Sequence, residues 1–357
     1  MAEKVEVKCC ANPGCDQPGT SSCSACKTTT YCCVACQTAA WPQHKEECQG
    51  HLRKLALTNL EKAFGFNRVN NFVQSLRYFD LALTKLGQMK ARPSLEIVQL
   101  KNDALTIRYD ALNFMSKDLE ALECAKQRYT LWATFQIRNP KMLVAAFALI
   151  ESLVNNREFA EAEMISRTAF EMINDINDDF IPGKDRQHFL AEGSKWLADT
   201  TYRLAENGGI APSELQKAKE EAITLARQAL EIHTKMDRTS ERVAESMTAL
   251  ADVLGYFNDF DDDEVLRLYE QANVLFARYQ GSSSYNVANG KFNLGIAYGK
   301  RANRTMDKER CKRNRELALS HYREANRIYK IINHTAMVER TAQLIMKYEM
   351  FLSQRGV

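Results

Sequence analysis

The sequence predicts a small cysteine-rich finger followed by an all-α solenoid of helical repeats. Three observations carry that expectation. Nine of the 11 cysteines in the 357-residue chain lie before residue 49. After Cys48 glycine and proline become sparse, and apolar residues recur at helical spacing. Within that second region a pattern of small and aromatic residues returns at a near-constant interval.

The finger comes first in the chain. From Cys10 to Cys48, seven Cys and one His pair off by spacing: Cys10 and Cys15 have four residues between them, Cys23 and Cys26 two, Cys32 and Cys36 three, His44 and Cys48 three. Four pairs make eight ligands, enough for two tetrahedral zinc sites, because structural Zn²⁺ takes thiolate and imidazole in a closed tetrahedron. The last two pairs have the i, i+4 spacing that places both side chains on one helix face. The segment's large apolar residues are few (Tyr31, Val34, Trp41), and chains this short need a staple. Structural zinc contributes about 10–16 kcal/mol to such folds. Disulfides are disfavoured, since the opening MAEKVEVK lacks the apolar run of a secretory leader. A redox Cys-x-x-Cys at Cys23/Cys26 would need a strand–helix context that is absent. Cys9 competes with Cys10 as a ligand, and Cys33 with Cys32.

Tyr31-Cys32, Cys36-Gln37, Trp41, His44 and Cys48 resemble the second half of a MYND-type zinc finger. Cys23-Ser-Ala-Cys26, the five residues before Cys32 and the seven between Cys15 and Cys23 fit the same pattern. The resemblance covers about one tenth of the chain. It implies interleaved ligation: one zinc on Cys10, Cys15, Cys32 and Cys36, the other on Cys23, Cys26, His44 and Cys48. The chain departs from the family in its first pair, which is usually separated by two residues. Here four intervene, and the turn chemistry of Asn12-Pro13-Gly14 can absorb the extra length. In MYND domains that bind proline-containing peptides, the residues matching Gln37 and Trp41 lie near the peptide. A place in the finger's small core is the other role open to Trp41.

The repeats follow. Phe72, Ser75, Phe79 and Ala82 share their spacing with Phe159, Ala162, Ser166 and Ala169. Related sets are Ala222, Ala226 and Ala229; Val265, Tyr269 and Ala272; Ala318, Tyr322 and Ala325. The underlying period is about 42 residues. A further unit fits near Asp118–Tyr129 with ambiguous register. Small residues at these offsets let antiparallel helices approach closely, and aromatics fill the space between repeats. Leu294, Gly295 and Tyr298, and Leu197, Ala198 and Thr201, put the same logic on the first helices of pairs. The pattern resembles tetratricopeptide repeats (TPR), with the longer period of kinesin-light-chain-like arrays.

Boundary signals agree. Asn139-Pro140 reads as an N-cap before proline at the first helical position. Asn207-Gly208-Gly209 ends one helix and Pro212-Ser213 opens the next. Gly281 to Ser284 is a turn between repeats, and Met337–Leu352 a final capping helix. The expected organisation is a tail at 1–9, the finger at 10–48, TPR-like repeats at 49–335, and a capping helix with tail at 336–357.

Several function classes are disfavoured. Net charge is +3, so no polyelectrolyte partner is implied for the whole chain. The finger carries about −4 once its seven thiolates and two Zn²⁺ are counted, a poor match for phosphate. The basic stretch Lys300–Arg315 has no interleaved aromatics and reads as a solvated extension of two helices joined by a long turn rather than as a nucleic-acid site. The acidic run Asp259–Glu264 lacks a calcium-loop pattern and reads as charge compensation at a helix N-terminus. His188, His233, His321 and His334 read as isolated. The apolar run Met142–Ile150 is too short to span a bilayer. Some MYND fingers sit inside SET-domain lysine methyltransferases, but the strand-rich SET core is missing here. Asn333-His334 is the one dipeptide similar to that family's cofactor-binding Asn-His, and it reads as part of a helical segment.

The resulting expectation is a non-catalytic, zinc-binding adaptor or scaffold for protein–protein interaction, intracellular, in cytoplasm and/or nucleus. It takes two structural Zn²⁺. Its partners are proteins or peptides, not nucleic acid or membrane. Besides Gln37 and Trp41, the candidate partner-binding residues lie on the first helices of two pairs: Asn289, Phe292 and Asn293 on one, Lys195, Asp199 and Arg203 on the other. Stacked helix pairs expose the first helix of each on the inside of the array, and an Asn amide can satisfy both backbone groups of an extended peptide. A divergent methyltransferase relative and a nucleic-acid binder using residues 300–315 are the alternatives.

Overall fold

A computed structural model describes residues 9–69, 71–89, 95–115, 117–134, 140–175, 183–257 and 262–353. Among the described residues are two short strands and 13 helices. Contacts divide the chain into two units, residues 1–137 and 138–357.

In the first unit β1 (Ser21–Ser22) pairs antiparallel with β2 (Thr30–Tyr31), Ser21 opposite Tyr31. Helices α1 (Val34–Arg68), α2 (Phe72–Gly87), α3 (Leu95–Phe114) and α4 (Asp118–Thr134) follow, each packed on the next. The 35 residues of α1 bury His44, Cys48, Leu52, Ala56, Leu60 and Ala63. That spacing is one unbroken stripe along a single helix face. Its first part belongs to the finger's cluster with Tyr31 and Leu52. Its last part packs with Phe79, Ala82, Ala104 and Ile107 in the first helical repeat. The helix also contains Pro42. An interior proline costs about 3 kcal/mol because it removes one backbone hydrogen bond and crowds the preceding turn. The helix persists through it.

The expected small-residue offsets lie in the helix interfaces. Ser75, Phe79 and Ala82 are buried, and Ser75 Oγ donates to the Ala63 carbonyl at 3.0 Å. The unit with ambiguous register is α4, where Ala121 and Ala125 occupy the offsets of Ser75 and Phe79 and are buried. The final small residue is replaced by Arg128, which hid the pattern. Arg128 is buried and its Nε donates to Asn102 Oδ1 at 3.1 Å, an oxygen that also accepts from Trp132 Nε1 at 2.8 Å.

The second unit contains α5 (Pro140–Asn155), α6 (Phe159–Asp175), α7 (Gly183–Glu206), α8 (Leu215–Met236), α9 (Glu241–Tyr256), α10 (Asp262–Gln280), α11 (Tyr285–Arg304), α12 (Lys308–Ile331) and α13 (Thr335–Ser353). Consecutive helices pack pairwise, and α7 also touches α5 and α9, so first helices of successive pairs line up together. Ala162, Ala169, Ala222, Ala226, Ala229, Ala272, Ala318 and Ala325 are all buried, as the repeat pattern requires. Gly295 shows why small residues matter. A Cβ there would stand 2.6 Å from the ring of Tyr322 on α12, so only glycine permits this approach.

Several boundaries have a clear physical basis. Pro140 opens α5; Asn139 lies outside the described residues. Gly208 adopts φ +75° after α7, and Gly209 N donates to the Leu204 carbonyl at 2.9 Å, closing the helix end. Pro212-Ser213 stand in a turn, and α8 begins two residues later at Leu215. Gly281 has φ +87°, and Ser284 Oγ caps α11 by accepting from Val287 N at 3.3 Å. The long turn expected in the basic stretch is instead short, Thr305–Asp307, with Asp307 capping α12 by accepting from Arg310 N at 3.0 Å. Lys300 donates to the Gly255 carbonyl and Arg301 pairs with Asp263. Of the acidic run, residues 259–261 lie outside the described residues, and Glu264 pairs with Arg227. Asn333 and His334 are not helical as expected. They form the turn between α12 and α13, with Asn333 at φ +57° and His334 stacked on Tyr285. No helix among the described residues is long and apolar enough to cross a membrane.

Candidate metal centres and an interhelical cavity

The turn after Cys10 brings Cys15 back toward it: Gly14 takes φ +80° and Cys15 N donates to the Asn12 carbonyl at 3.0 Å. This absorbs the longer first spacing. Cys32 follows β2 and Cys36 lies in the first turn of α1. Cys15 and Cys32 Sγ are 3.6 Å apart, Cys32 and Cys36 Sγ 3.5 Å, and all four sulfurs of Cys10, Cys15, Cys32 and Cys36 lie within 4.8 Å of one another. Zn–S bonds of about 2.3 Å in a tetrahedron require sulfurs about 3.8 Å apart. Asn12 Nδ2 donates to Cys36 Sγ at 3.4 Å.

The second cluster joins the loop between β1 and β2 to α1. Cys23, Cys26, His44 and Cys48 are all buried and converge within 4.8 Å. Cys23 and Cys48 Sγ are 4.0 Å apart, and His44 Nε2 is 3.4 Å from Cys26 Sγ. Thr29 Oγ1 sits 3.3 Å from His44 Nδ1, orienting the ring, and Thr28 Oγ1 donates to Cys26 Sγ at 3.1 Å. Burial resists ionisation of Cys26, but hydrogen bonds from Thr28 bring its thiol down to about 5. Cys48 is pushed up to about 12 by burial and by the charges of Cys23 and Cys26. The cluster therefore forms one thiolate readily and resists the next, a conflict that a bound dication removes. Ligand type, spacing and these outer hydrogen bonds fit two structural zinc ions, one held by four cysteines and the other by three cysteines and a histidine. Cys9 and Cys33 are exposed and outside both groups, although Cys33 Sγ is 3.7 Å from Cys32 Sγ.

Gln37 and Trp41 are half-buried on the first turns of α1. Trp41 packs on the finger cluster and meets His44 edge-on, ring centres 6.0 Å apart.

In the second unit, a cavity of about 310 Å³ is lined by Arg203, Asp252, Asn289, Phe292, Asn293 and Arg340, among others. Asn293 Nδ2 donates to Asp252 Oδ1 at 3.4 Å, and the Tyr269 hydroxyl donates to the same oxygen. Burial pushes the Asp252 carboxyl up to about 6 against the opposing pull of Arg203. Phe292 is 4% exposed, and the Arg340 guanidinium lies 4.9 Å above its ring. Lys195 and Asp199 do not line this cavity, contrary to the sequence reading. Both are nearly buried: Lys195 Nζ lies 2.8 Å from Glu192 and from Glu245, and Asp199 accepts from Arg203 at 2.8 Å. Neutralisation inside the helix layer keeps their charges from the surface.

One grouping is completed only by the fold. His188 and His233, read as isolated, converge with Glu192 within 4.8 Å. The i, i+4 spacing of His188 and Glu192 on α7 was a usable signal, but His233 sits on α8 and only helix pairing brings it in.

The family model of the MYND finger matches residues 9–48. No curated protein sequence matches the chain. Among solved structures, the apo form of RapI is 11% identical, covering 84% of this chain and 99% of that chain with a TM-score of 0.51. A Rap protein complexed with competence and sporulation factor is 10% identical, covering 88% of this chain and 81% of that chain with a TM-score of 0.50. Kinesin light chain TPR-like repeats from Podosopora anserina are 18% identical over 62% of this chain and 96% of that chain, at a TM-score of 0.39, too low to add to the comparison. At these identities the likeness is one of fold alone. The chain is thus built from a MYND-type zinc finger at its N-terminal end and TPR-like helical repeats after it.

Proposed function

We propose that this protein is an interaction scaffold in which the finger and the interhelical cavity each bind an extended peptide segment of a protein partner. Both kinds of module are consistent with protein–protein interaction. The observation that carries the finer reading is the cavity wall: Asn289 and Asn293 stand one helical turn apart beside Phe292, with Arg203 and Arg340 at the same cavity. Two amides at that separation match the donor and acceptor pattern of a peptide backbone, and the guanidiniums suit carboxylate side chains on the bound segment. On the finger, Gln37 and Trp41 are the candidate peptide contacts. A tail (1–9), the finger (10–48), the repeats (49–335) and a capping helix with tail (336–357) are the proposed working divisions. The proposed role is non-catalytic. An intracellular setting accords with the thiol-rich finger.

The test is Asn289→Ala combined with Asn293→Ala, assayed by capture of partners or an arrayed peptide library. Capture by the second unit should fall sharply while the protein stays folded, with a stability loss of about 1 kcal/mol from the Asn293–Asp252 hydrogen bond. Undiminished capture by the stable double mutant removes the cavity from the proposal. Trp41→Ala addresses the finger: lost peptide binding with both zincs retained assigns Trp41 to the peptide surface, and lost zinc assigns it to the finger's core.

A further inference from the structure

The second unit contains a ligand set unrelated to the finger. His188 and Glu192 lie one turn apart on α7, and His233 reaches them from α8, so that one ring nitrogen of each histidine and a carboxylate oxygen converge within 4.8 Å. The distance from His233 Nε2 to Glu192 Oε1 is 3.6 Å. Bonds of about 2.0–2.1 Å from a tetrahedral zinc to nitrogen and oxygen would set neighbouring ligands about 3.4 Å apart. His233 has a side chain only 1% exposed, and its Nε2 has no hydrogen-bond partner; the same is true of the buried Nδ1 of His188. Buried imidazole nitrogens left without partners are costly, and here both belong to one three-residue group.

The surroundings are those of an outer shell. His233 Nδ1 is 2.8 Å from Ser246 Oγ, which fixes the ring with Nε2 toward Glu192. Lys195 Nζ holds Glu192 Oε2 at 2.8 Å and shares its charge with Glu245, leaving Oε1 toward the imidazoles. The three ligands are not enclosed. His188 and Glu192 line an open depression together with Ser240 and Arg242, from which water can complete the coordination sphere.

We propose that His188, Glu192 and His233 form a third metal site, specific for a divalent transition cation of the Zn²⁺ or Co²⁺ class, with three protein ligands and one position open to solvent. Imidazole with carboxylate selects this class over Mg²⁺ or Ca²⁺, which take oxygen ligands alone. The site has an open position, unlike the two closed sites of the finger, so it can present a metal-bound water to the depression.

The experiment uses the full chain with the finger loaded. Native mass spectrometry during Zn²⁺ addition should show three ions per chain. Co²⁺ added to the zinc-loaded protein should give weak visible bands without the intense near-ultraviolet absorption of cobalt–thiolate bonds, which separates this site from exchange into the finger. His188→Ala and Glu192→Gln should each weaken the third ion about tenfold to hundredfold or more, leaving the two finger ions and the helical circular-dichroism signal intact. His188 stands at the rim, so its removal leaves the core packing in place, whereas His233→Ala would open a gap in the buried layer. Two ions per chain in the folded wild type at about 100 μM free Zn²⁺ overturns the proposal. So does a third ion held equally well by the His188→Ala, Glu192→Gln double variant, since it then binds elsewhere.

Discussion

The finger and the helical repeats of the second unit solve the same problem with opposite means. The finger has too few apolar side chains for a core. Its buried set is mostly the zinc ligands themselves, with Tyr31, Ala40 and Leu52 around them. The repeats have no such fixed chemistry. They bury a continuous series of alanines, leucines and aromatics between neighbouring helices. Stability in the finger is therefore concentrated in two points, and in the repeats it is spread over many small contacts. The two modes meet on α1, where His44 and Cys48 are placed to bind metal and Leu60 and Ala63 pack against α2 and α3 on the same helix face.

Chelation should break this contrast most sharply. Removing both zincs withdraws about 10–16 kcal/mol per structural site, so residues 9–48 should unfold while the repeats of the second unit keep their helicity. Circular dichroism with limited proteolysis reads this, and simultaneous collapse of both regions would show that the finger is not separately held. His44→Ala should lose one ion and leave the Cys10, Cys15, Cys32 and Cys36 site partly intact, as counted by native mass spectrometry.

In the repeats a comparable disruption needs overpacking. Gly295→Leu drives a side chain into the Tyr322 ring and should cost about 3 kcal/mol, lowering the unfolding midpoint with zinc content unchanged. A wild-type midpoint in this variant would mean that α11 and α12 are not held as closely as the structure places them.

A smaller effect sharpens the comparison through pH. The folded Asp252 carboxyl sits at about 6, above its ordinary value of 3.8, because burial penalises the charged form. The native state therefore binds this proton more tightly than the unfolded chain. Its contribution to stability is complete below about pH 4 and is lost as pH rises through 6, amounting to about 2–3 kcal/mol. Asp252→Asn should remove that downward slope between pH 4 and 6, as measured by urea unfolding across the range. His321 has the opposite sign: burial lowers it to about 4, so its contribution is present above about 6.5 and is lost as pH falls toward 4. The smallest effect belongs to Cys9→Ser and Cys33→Ser, each of which should leave both finger zincs in place. Loss of a metal in either would reassign a ligand.

The same contrast explains what could be read before folding. The ligand pairs were legible because zinc fixes both residue type and separation, so Cys23-Ser-Ala-Cys26 or His44 to Cys48 carries its geometry in the chain itself. The repeats were legible only as a pattern, since many small or aromatic residues can fill a given interface. Arg128 shows the limit: a buried arginine replaced the expected small residue because Asn102 on the neighbouring helix supplied an acceptor. Lys195 and Asp199 show it again. Helical position alone put them on the exposed face, and ion pairs with Glu192, Glu245 and Arg203 drew them inside.

The sequence by itself determined the four ligand pairs, the all-α repeats and several helix ends, because each rests on local spacing: ligands a turn apart, small residues at helical intervals, glycine where φ must be positive. Tertiary structure alone decided which charged side chains are hidden, how α1 joins finger to repeat as one helix, and that His233 stands beside His188 and Glu192. Those outcomes depend on which faces of separate helices meet, and facing is set by the packing of whole helices rather than by any short run of residues.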